Sequence, residues 1–476
     1  MKKIREKHPL AIRWFHWINF PVLFVMIWTG MLIYWADDEY SVTLGGRQLI
    51  KFFPDWFYSF FNFPYRLSEG MAYHFIFMWL FAINGLLYIL FTAISGEWKF
   101  LLPNRYSFKE AWQVLLHDLH IRRTIPPQNK YNAAQRIAYT AIIAMGLGSV
   151  LTGAAIYKPV QLNWLCSLLG GYHAARIEHF LLTIGYVLFF LIHIIQVVIA
   201  GWNNFRSVIT GFEIPAVSMV DDQARNTKPE TEKRINRRTW ISFSVFAAGG
   251  IMAWGGWKWL RNYSLEEEGV SAGLSKPVRN ILNGNDRIAQ QTFSSSRLVK
   301  TYPVSAAAKN VRKNGTIGLQ TALEEDWKLT VQKANGDTLS LSLNDIKSLP
   351  HTEIIYDFKC IEGWDQVSHW GGARFSDFIS HYRLKEEAAM KYVSLMTPDE
   401  EYYVGLDMPS AMHPQTLLCY EVNGLQLAPE HGYPLRLIIP VKYGVKNLKR
   451  IGTISFSDDR PEDYWAQRGY DYFSGL

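Results

Sequence analysis

The sequence predicts a multi-domain chain, an all-α transmembrane helix bundle followed by a mixed α/β domain. Two observations carry this. Apolar runs long enough to cross a bilayer lie near 11–35, 70–95, 134–157, 177–201 and 240–260. Beyond about residue 260 the composition turns to that of an ordinary soluble protein, with mixed charge and short alternating apolar stretches. Most of the 18 tryptophans precede that break, so the mean hydropathy of -0.04 averages two unlike halves.

The net charge of +7 does not call for nucleic acid, because much of it flanks the apolar runs. Basic residues crowd the N-terminus (Lys2, Lys3, Arg5, Lys7, Arg13), the segment 96–133 and the segment 202–239. The alternate segments hold only Arg47, Lys51 and Arg66, then Lys158 and Arg176. Positive charge stays inside, so the N-terminus is expected in the cytoplasm. Five crossings place everything after about 261 on the far side, in a bacterium the periplasm. No small-residue cleavage pattern follows MKKIREKHPLAIRWFHW, so the first run reads as a span and not a removed signal. Cys166, Cys360 and Cys419 make no disulfide framework.

Four histidines fall inside spans. His179 and His193 are fourteen residues apart, roughly 21 Å of rise and nearly four whole turns, so they share one helix face near opposite membrane surfaces. His16 sits just inside the cytoplasmic start of the first span, and His74 just inside the periplasmic start of the second. Depth pairs His16 with His193 and His74 with His179. Intramembrane histidines are functional candidates by default, and two stacked bis-histidine sites are what two b-type haems need. His8, His117, His120 and His173 lie outside the spans and read as solvated.

RWFHW followed by TGMLI, LSEGMAYH, YNAAQRIAYT, and RIEHF…LIH with NNFRSVITG give the first 215 residues a family likeness. They resemble the di-haem cytochrome b subunits of nickel–iron hydrogenases and respiratory formate dehydrogenases. The resemblance implies that these four histidines are axial ligands and that the subunit exchanges electrons with quinone. A cytoplasmic linker, 216–239, follows. Arg237–Arg238, before the fifth span at 240–260, reads either as a positive-inside flank or as an internal twin-arginine export signal left as an anchor.

Residues 261–315 are polar and read as a periplasmic linker or wrapping segment. WKLTVQKANGDTLSLSL predicts a hairpin turning at Asn335–Gly336. EIIYDFKCIEGWDQVSHWGGARFSDFI predicts a strand running into Cys360, then a loop and a short helix. HGYPLRLIIPVKYGVKNLKRIGTISF predicts a buried strand, a glycine turn with three lysines and another strand. A cysteine closing a strand before a Gly- and Trp-rich loop suits a soft metal; Cys166 and Cys419 read as structural.

FKCIEGW, KYVSLMT, AMHPQTLL and HGYPLRLIIPVKYGVKNLKRI resemble the sulfite-oxidase family of molybdenum enzymes, in particular its bacterial methionine-sulfoxide-reducing branch. The likeness implies a molybdopterin domain over 316–476, with Cys360 as catalytic molybdenum ligand and a single pterin. It places pterin contacts on Thr397, His431, Arg436, Asn447, Leu448 and Lys449, with Asn314 upstream. Sulfite-oxidising members carry an arginine five residues after that cysteine. Here the position is Asp365, a carboxylate that repels sulfite. His369, Arg374, Tyr402 and Tyr403 are further candidates for lining the site. The whole reads as a membrane-anchored molybdenum oxidoreductase joining the quinone pool, through two b haems, to a periplasmic sulfoxide-like or N-oxide-like substrate. The alternatives are a quinone-linked dehydrogenase of a small sulfur compound and a non-catalytic haem conduit.

Overall fold

The computed structural model describes residues 5–37, 40–44, 47–118, 121–124, 130–213, 230–263, 274–313, 315–321 and 326–476. The chain divides into two compact units. One comprises Met1–Ile27, Phe77–Ile156 and Cys166–Arg261; the other comprises Trp28–Ile76, Tyr157–Leu165 and Asn262–Leu476.

The apolar runs form helices α1 (Leu10–Tyr34), α2 (Leu67–Ser95), α4 (Ala133–Tyr157) and α5 (Tyr172–Thr210), with α3 (Ser107–Asp118) between α2 and α4. The four long ones are the helices long and apolar enough to cross a membrane among the described residues. They leave Leu80, Ile83, Leu87, Leu181, Leu188 and Ile195 exposed, a surface that suits lipid and not water. α5 runs between Gly171 and Gly211, both at positive φ, and kinks at Gly201, beyond both of its span histidines. The fifth expected span lies within α6 (Glu230–Asn262). Its glycines at 249, 250, 255 and 256 dilute the hydropathy, and α6 is not among the four. Arg237 is exposed on α6.

His8 departs from its expected solvated state. It is buried, its Nδ1 lies 3.3 Å from the Tyr131 hydroxyl, and burial followed by Lys7 and Lys130 pushes it down to about 3. His117 is half-buried beside Asp118, His173 is exposed, and His120 lies outside the described residues.

The second unit holds a two-stranded ribbon, Ser41–Leu44 with Arg47–Lys51, and two larger sheets. Strands β1 (Leu329–Gln332), β2 (Thr338–Leu341), β5 (Tyr392–Met396), β6 (Tyr403–Asp407) and β10 (Thr453–Ser457) take the order β6-β5-β10-β1-β2, with β10 parallel to β1. β3 (His351–Lys359), β4 (Asp365–Arg374), β7 (Leu417–Val422), β8 (Leu425–Gln426) and β9 (Arg436–Ile438) form the other, ordered β8-β7-β4-β3 with β9 also on β7. The β1–β2 connection is wider than a two-residue turn, since Lys333 N–H donates to Asp337 O across Asn335–Gly336. The stretch after Cys360, expected as a loop, returns directly as the ten-residue β4.

The segment expected as a polar linker contains α7 (Lys276–Thr292). Arg279, 1% exposed, donates from α7 to the carbonyls of Tyr470 and Ala466 at 2.9 and 2.8 Å. Within this unit Leu67, Met71 and Val160 belong to the same core as Phe358, Cys360 and Leu437. Polar ties accompany it. Asn285 Nδ2 donates to Phe75 O at 3.4 Å, Lys158 Nζ to Gly475 O at 2.7 Å, and Arg312 lies 3.7 Å from Asp37.

Candidate active site and haem ligands

Cys360 follows the last residue of β3 in a tight turn. Its N–H donates to Trp364 O at 2.9 Å and its carbonyl accepts from Gly363 N–H at 3.1 Å. Gly363 has φ +112, where a side chain would be strained. The buried thiol points at Glu362 Oε2, 3.7 Å away, which also accepts from Trp364 Nε1 at 3.0 Å. Tyr402 closes one side, donating to Val445 O at 2.5 Å and accepting from Trp465 Nε1 at 3.1 Å. Burial raises its phenol well above the usual range, with Asp463 and the Cys360 sulfur adding to the shift.

A shallow cleft lined by Trp364, Phe358 and Arg436 opens beside this turn. β4 lines it with every second residue, Gln366, Ser368 and Trp370, as strand alternation requires. His369 therefore faces away, 3.5 Å from Glu353. Phe358 stacks on Trp364 at 5.8 Å, Arg312 lies 4.5 Å over Trp364, and Arg436 lies 4.5 Å over Trp370. Arg312, Trp364, Ser368 and Trp370 were not marked by sequence reasoning. For Ser368 and Trp370 the signal was the strand alternation, hidden while the segment read as a loop; Arg312 and Trp364 lie outside β4 and carry no such pattern. Tyr403 bonds Gln467 and Arg374 is exposed at the end of β4, so neither joins the cleft.

Arg436 is 3% exposed, and it donates to His431 O at 3.0 Å and Asn447 O at 3.5 Å. Its buried Nε has no partner, and no carboxylate pairs with it among the described residues. Desolvation lowers its pKa, partly offset by Cys419 and Tyr356. A buried guanidinium met only by carbonyls is a seat for an anion, which is what a pterin phosphate or dithiolene supplies. Asn447 holds this shelf, accepting from Ile439 N–H at 2.8 Å and donating to Tyr443 O at 3.1 Å. Leu448 is fully buried, and its carbonyl accepts from Leu437 N–H at 2.8 Å. His431 is half-buried beside Trp370, and burial followed by Arg436 and Lys449 lowers its pKa. The Thr397 hydroxyl donates to Asp399 at 2.6 Å and accepts from Tyr402 N–H at 3.1 Å, which ties Tyr402 to it. Asn314 lies outside the described residues. Cys419 is buried in β7, and desolvation raises its thiol to about 12, an inert setting.

Lys449 Nζ donates to Gly315 O at 3.0 Å, and burial followed by Arg436 lowers its pKa from 10.5 to about 7. A folded value below the unfolded one means stability rises with pH, from about 7 towards 10.5. Protein made without molybdopterin is expected to gain about 5 °C in the melting temperature of this unit between pH 7 and 9. Lys449→Met removes that slope, and so does cofactor loading, because an anionic partner restores the charge. Intrinsic fluorescence melts check this.

In the other unit the rings of His16 and His193 have centroids 6.1 Å apart. Two imidazoles on opposite sides of one metal, each nitrogen about 2 Å from it, put their centroids about 6 Å apart. His193 stacks on Phe189 at 5.8 Å, which holds its plane. His179 Nδ1 is 2.8 Å from Thr152 Oγ1. That hydroxyl donates its proton to Gly148 O at 2.7 Å, so it accepts from Nδ1–H, which selects the tautomer with the lone pair on Nε2. The next residue, Gly153, makes room: a Cβ there would stand 3.3 Å from the His179 ring. Residues 28–76 repeat the device. His74 Nδ1 is 2.9 Å from Thr29 Oγ1, and Gly30 passes the same ring. Sequence reading missed both Thr–Gly pairs. Thr152→Val is expected to shift one haem midpoint upward by up to about 60 mV, one net hydrogen bond for a one-electron couple, as read by redox titration.

Comparison with known proteins agrees with this two-part arrangement. The family model of the prokaryotic cytochrome b561 matches residues 7–211, and that of the oxidoreductase molybdopterin binding domain matches 316–465. The chain is 30% identical over 194 residues to the "Putative protein-methionine-sulfoxide reductase subunit YedZ1" of Azospira oryzae, covering 40% of this chain and 73% of that protein. It is 34% identical over 169 residues to the "Protein-methionine-sulfoxide reductase catalytic subunit MsrP" of Campylobacter jejuni, covering 32% of this chain and 57% of that one. With the "Uncharacterized oxidoreductase YuiH" of Bacillus subtilis it shares 32% identity over 145 residues, covering 30% of this chain and 72% of the relative. The chain spans about half the length of the MsrP relatives it matches. It thus belongs to the cytochrome b561 family through its N-terminal part and to the sulfite-oxidase family of molybdopterin-binding proteins through its C-terminal part, and it is a membrane-bound oxidoreductase carrying both on one polypeptide.

Proposed function

We propose that this chain transfers electrons from the quinone pool, by way of two b haems, to a one-pterin molybdenum site that reduces a sulfoxide-like or N-oxide-like substrate. His16 with His193 and His74 with His179 are the two ligand pairs, and Cys360 is the molybdenum ligand. The carrying observation is the single core shared by Leu67, Met71 and Cys360. Phe75, next to His74, accepts a hydrogen bond from Asn285 of α7 in that same unit. A haem held at His74 therefore stands beside the folded catalytic domain. The ties at Asp37, Phe75 and Lys158 gather at the ends of α1, α2 and α4 remote from the N-terminus. This supports a catalytic domain on the far side of the membrane, with α6 as the fifth crossing.

Bound molybdopterin supplies oxygen-atom transfer by a two-electron change at the metal. The chain's own residues seat its anionic groups on Arg436, Lys449 and His431. They also shield the sulfur ligand with Tyr402 and Trp364 and leave an aromatic cleft topped by Arg312. Asp365, where sulfite-oxidising members carry an anion-binding arginine, is not among the residues lining the cleft, and the relatives named for methionine-sulfoxide reduction support a neutral S=O acceptor. The test is anaerobic. Haems reduced with a quinol analogue should reoxidise on addition of a sulfoxide or an N-oxide. Haems that stay reduced with both, in a protein whose oxidised haems are reduced on addition of a reduced sulfur compound, would reverse the direction.

A further inference from the structure

The segment joining α2 to α4 has a helix with three faces. At 100° per residue Ser107 and Val114 of α3 lie about 20° apart, and both are buried. Phe108, Trp112 and Leu115 fall within about 60° of one another on a second face, at 72%, 61% and 42% exposure. Lys109, Gln113 and His117 share the third face with Glu110. A helix in water needs two faces, core and solvent. An apolar face beside both belongs at a boundary between protein, water and hydrocarbon.

The residues ahead of α3 continue that apolar face, with Trp98, Phe100 and Leu102 each close to half exposed. Charge points the same way. The acidic groups are turned inward, Glu97 lying 2.7 Å from Lys130 and Glu110 3.2 Å from Arg136. Lys99, Arg105 and Lys109 are exposed and form no ion pair among the described residues. The segment is continuous at both ends with helices apolar enough to cross a membrane. We infer that residues 98–115 lie in the headgroup layer of an anionic bilayer, on the side of the N-terminus, with Phe108, Trp112 and Leu115 inserted and Lys99, Arg105 and Lys109 on acidic lipid headgroups.

The three native cysteines are buried, so an introduced exposed cysteine takes a spin label selectively and Cys360 is spared. Full-length haem-loaded Phe108→Cys, Trp112→Cys and Gln113→Cys proteins are labelled in nanodiscs containing phosphatidylglycerol. Their collisions with oxygen and with a neutral nickel chelate are then measured. Labels at 108 and 112 should meet oxygen over nickel about fivefold more than the label at 113. Replacing Lys99, Arg105 and Lys109 together by Gln should cut the ratio at 108 by about half, as should discs of zwitterionic lipid alone. A label at 108 as open to nickel as that at 113 overturns the inference in favour of water. A label shielded from both probes overturns it in favour of a protein partner or second copy. An unchanged ratio in the triple variant overturns the acidic-lipid part. Haem absorbance reports folding, and Leu115→Cys replaces Phe108→Cys if that variant loses haem.

Discussion

Cys360→Ser is expected to lower substrate reduction at least about a thousandfold, some 4 kcal/mol of barrier, while leaving both haem spectra intact. The turn that carries Cys360 is held by main-chain bonds, from its own N–H to Trp364 O and from Gly363 N–H to its carbonyl. Serine keeps those bonds and the fold. What it lacks is a polarizable thiolate, the donor a soft metal centre selects. Molybdenum analysis separates two routes to the loss. Retained molybdenum with lost activity locates the effect in the ligand's chemistry, and lost molybdenum locates it in binding. Undiminished activity would refute Cys360 as the metal ligand. Cys166→Ser is the control, because that thiol is buried in the other unit.

His16→Ala is expected to remove one haem and reduce quinol-driven turnover to background. Activity with a small reduced dye that reaches the catalytic domain directly should stay within about twofold. The reason is geometric. The His16 and His193 ring centroids lie 6.1 Å apart, so on the proposed pairing deleting either would empty the same site. His74→Ala should remove the other haem and likewise uncouple quinol from substrate. If His16→Ala and His74→Ala bleach the same haem by redox-difference spectroscopy, the pairing by depth is wrong. Loss of neither haem would refute the ligand assignment altogether.

The membrane helices were legible because uninterrupted apolar runs have few other solutions, and the four histidines stood out as costly residues within them. The Thr29–Gly30 and Thr152–Gly153 pairs were not legible, since small residues on an apolar helix carry no mark of what packs on them. β4 was hidden by Gly371 and Gly372, which read as loop. The fold uses Gly372 for contact: a Cβ there would stand 2.2 Å from the Leu418 carbonyl, where β7 bulges against it. α7 was hidden by its polarity. Its buried face includes Arg279, Asn285 and Asp286, satisfied by carbonyls and amides from distant sequence that no local pattern announces. Resemblance supplied the pterin positions. Geometry added Trp370 and Arg312, and it showed Thr397 bonded to the Tyr402 backbone.

The core that unites Leu67, Met71 and Val160 with Cys360 bears on how the protein comes to exist. A catalytic domain made alone from residue 262 would present a bare apolar patch where those side chains belong, the hallmark of an aggregation-prone fragment. Its last layer is contributed by residues synthesised roughly one hundred to two hundred positions earlier, at the mouths of helices apolar enough to cross the membrane. A metal centre built on that core would complete its fold where the chain's own membrane helices have been delivered.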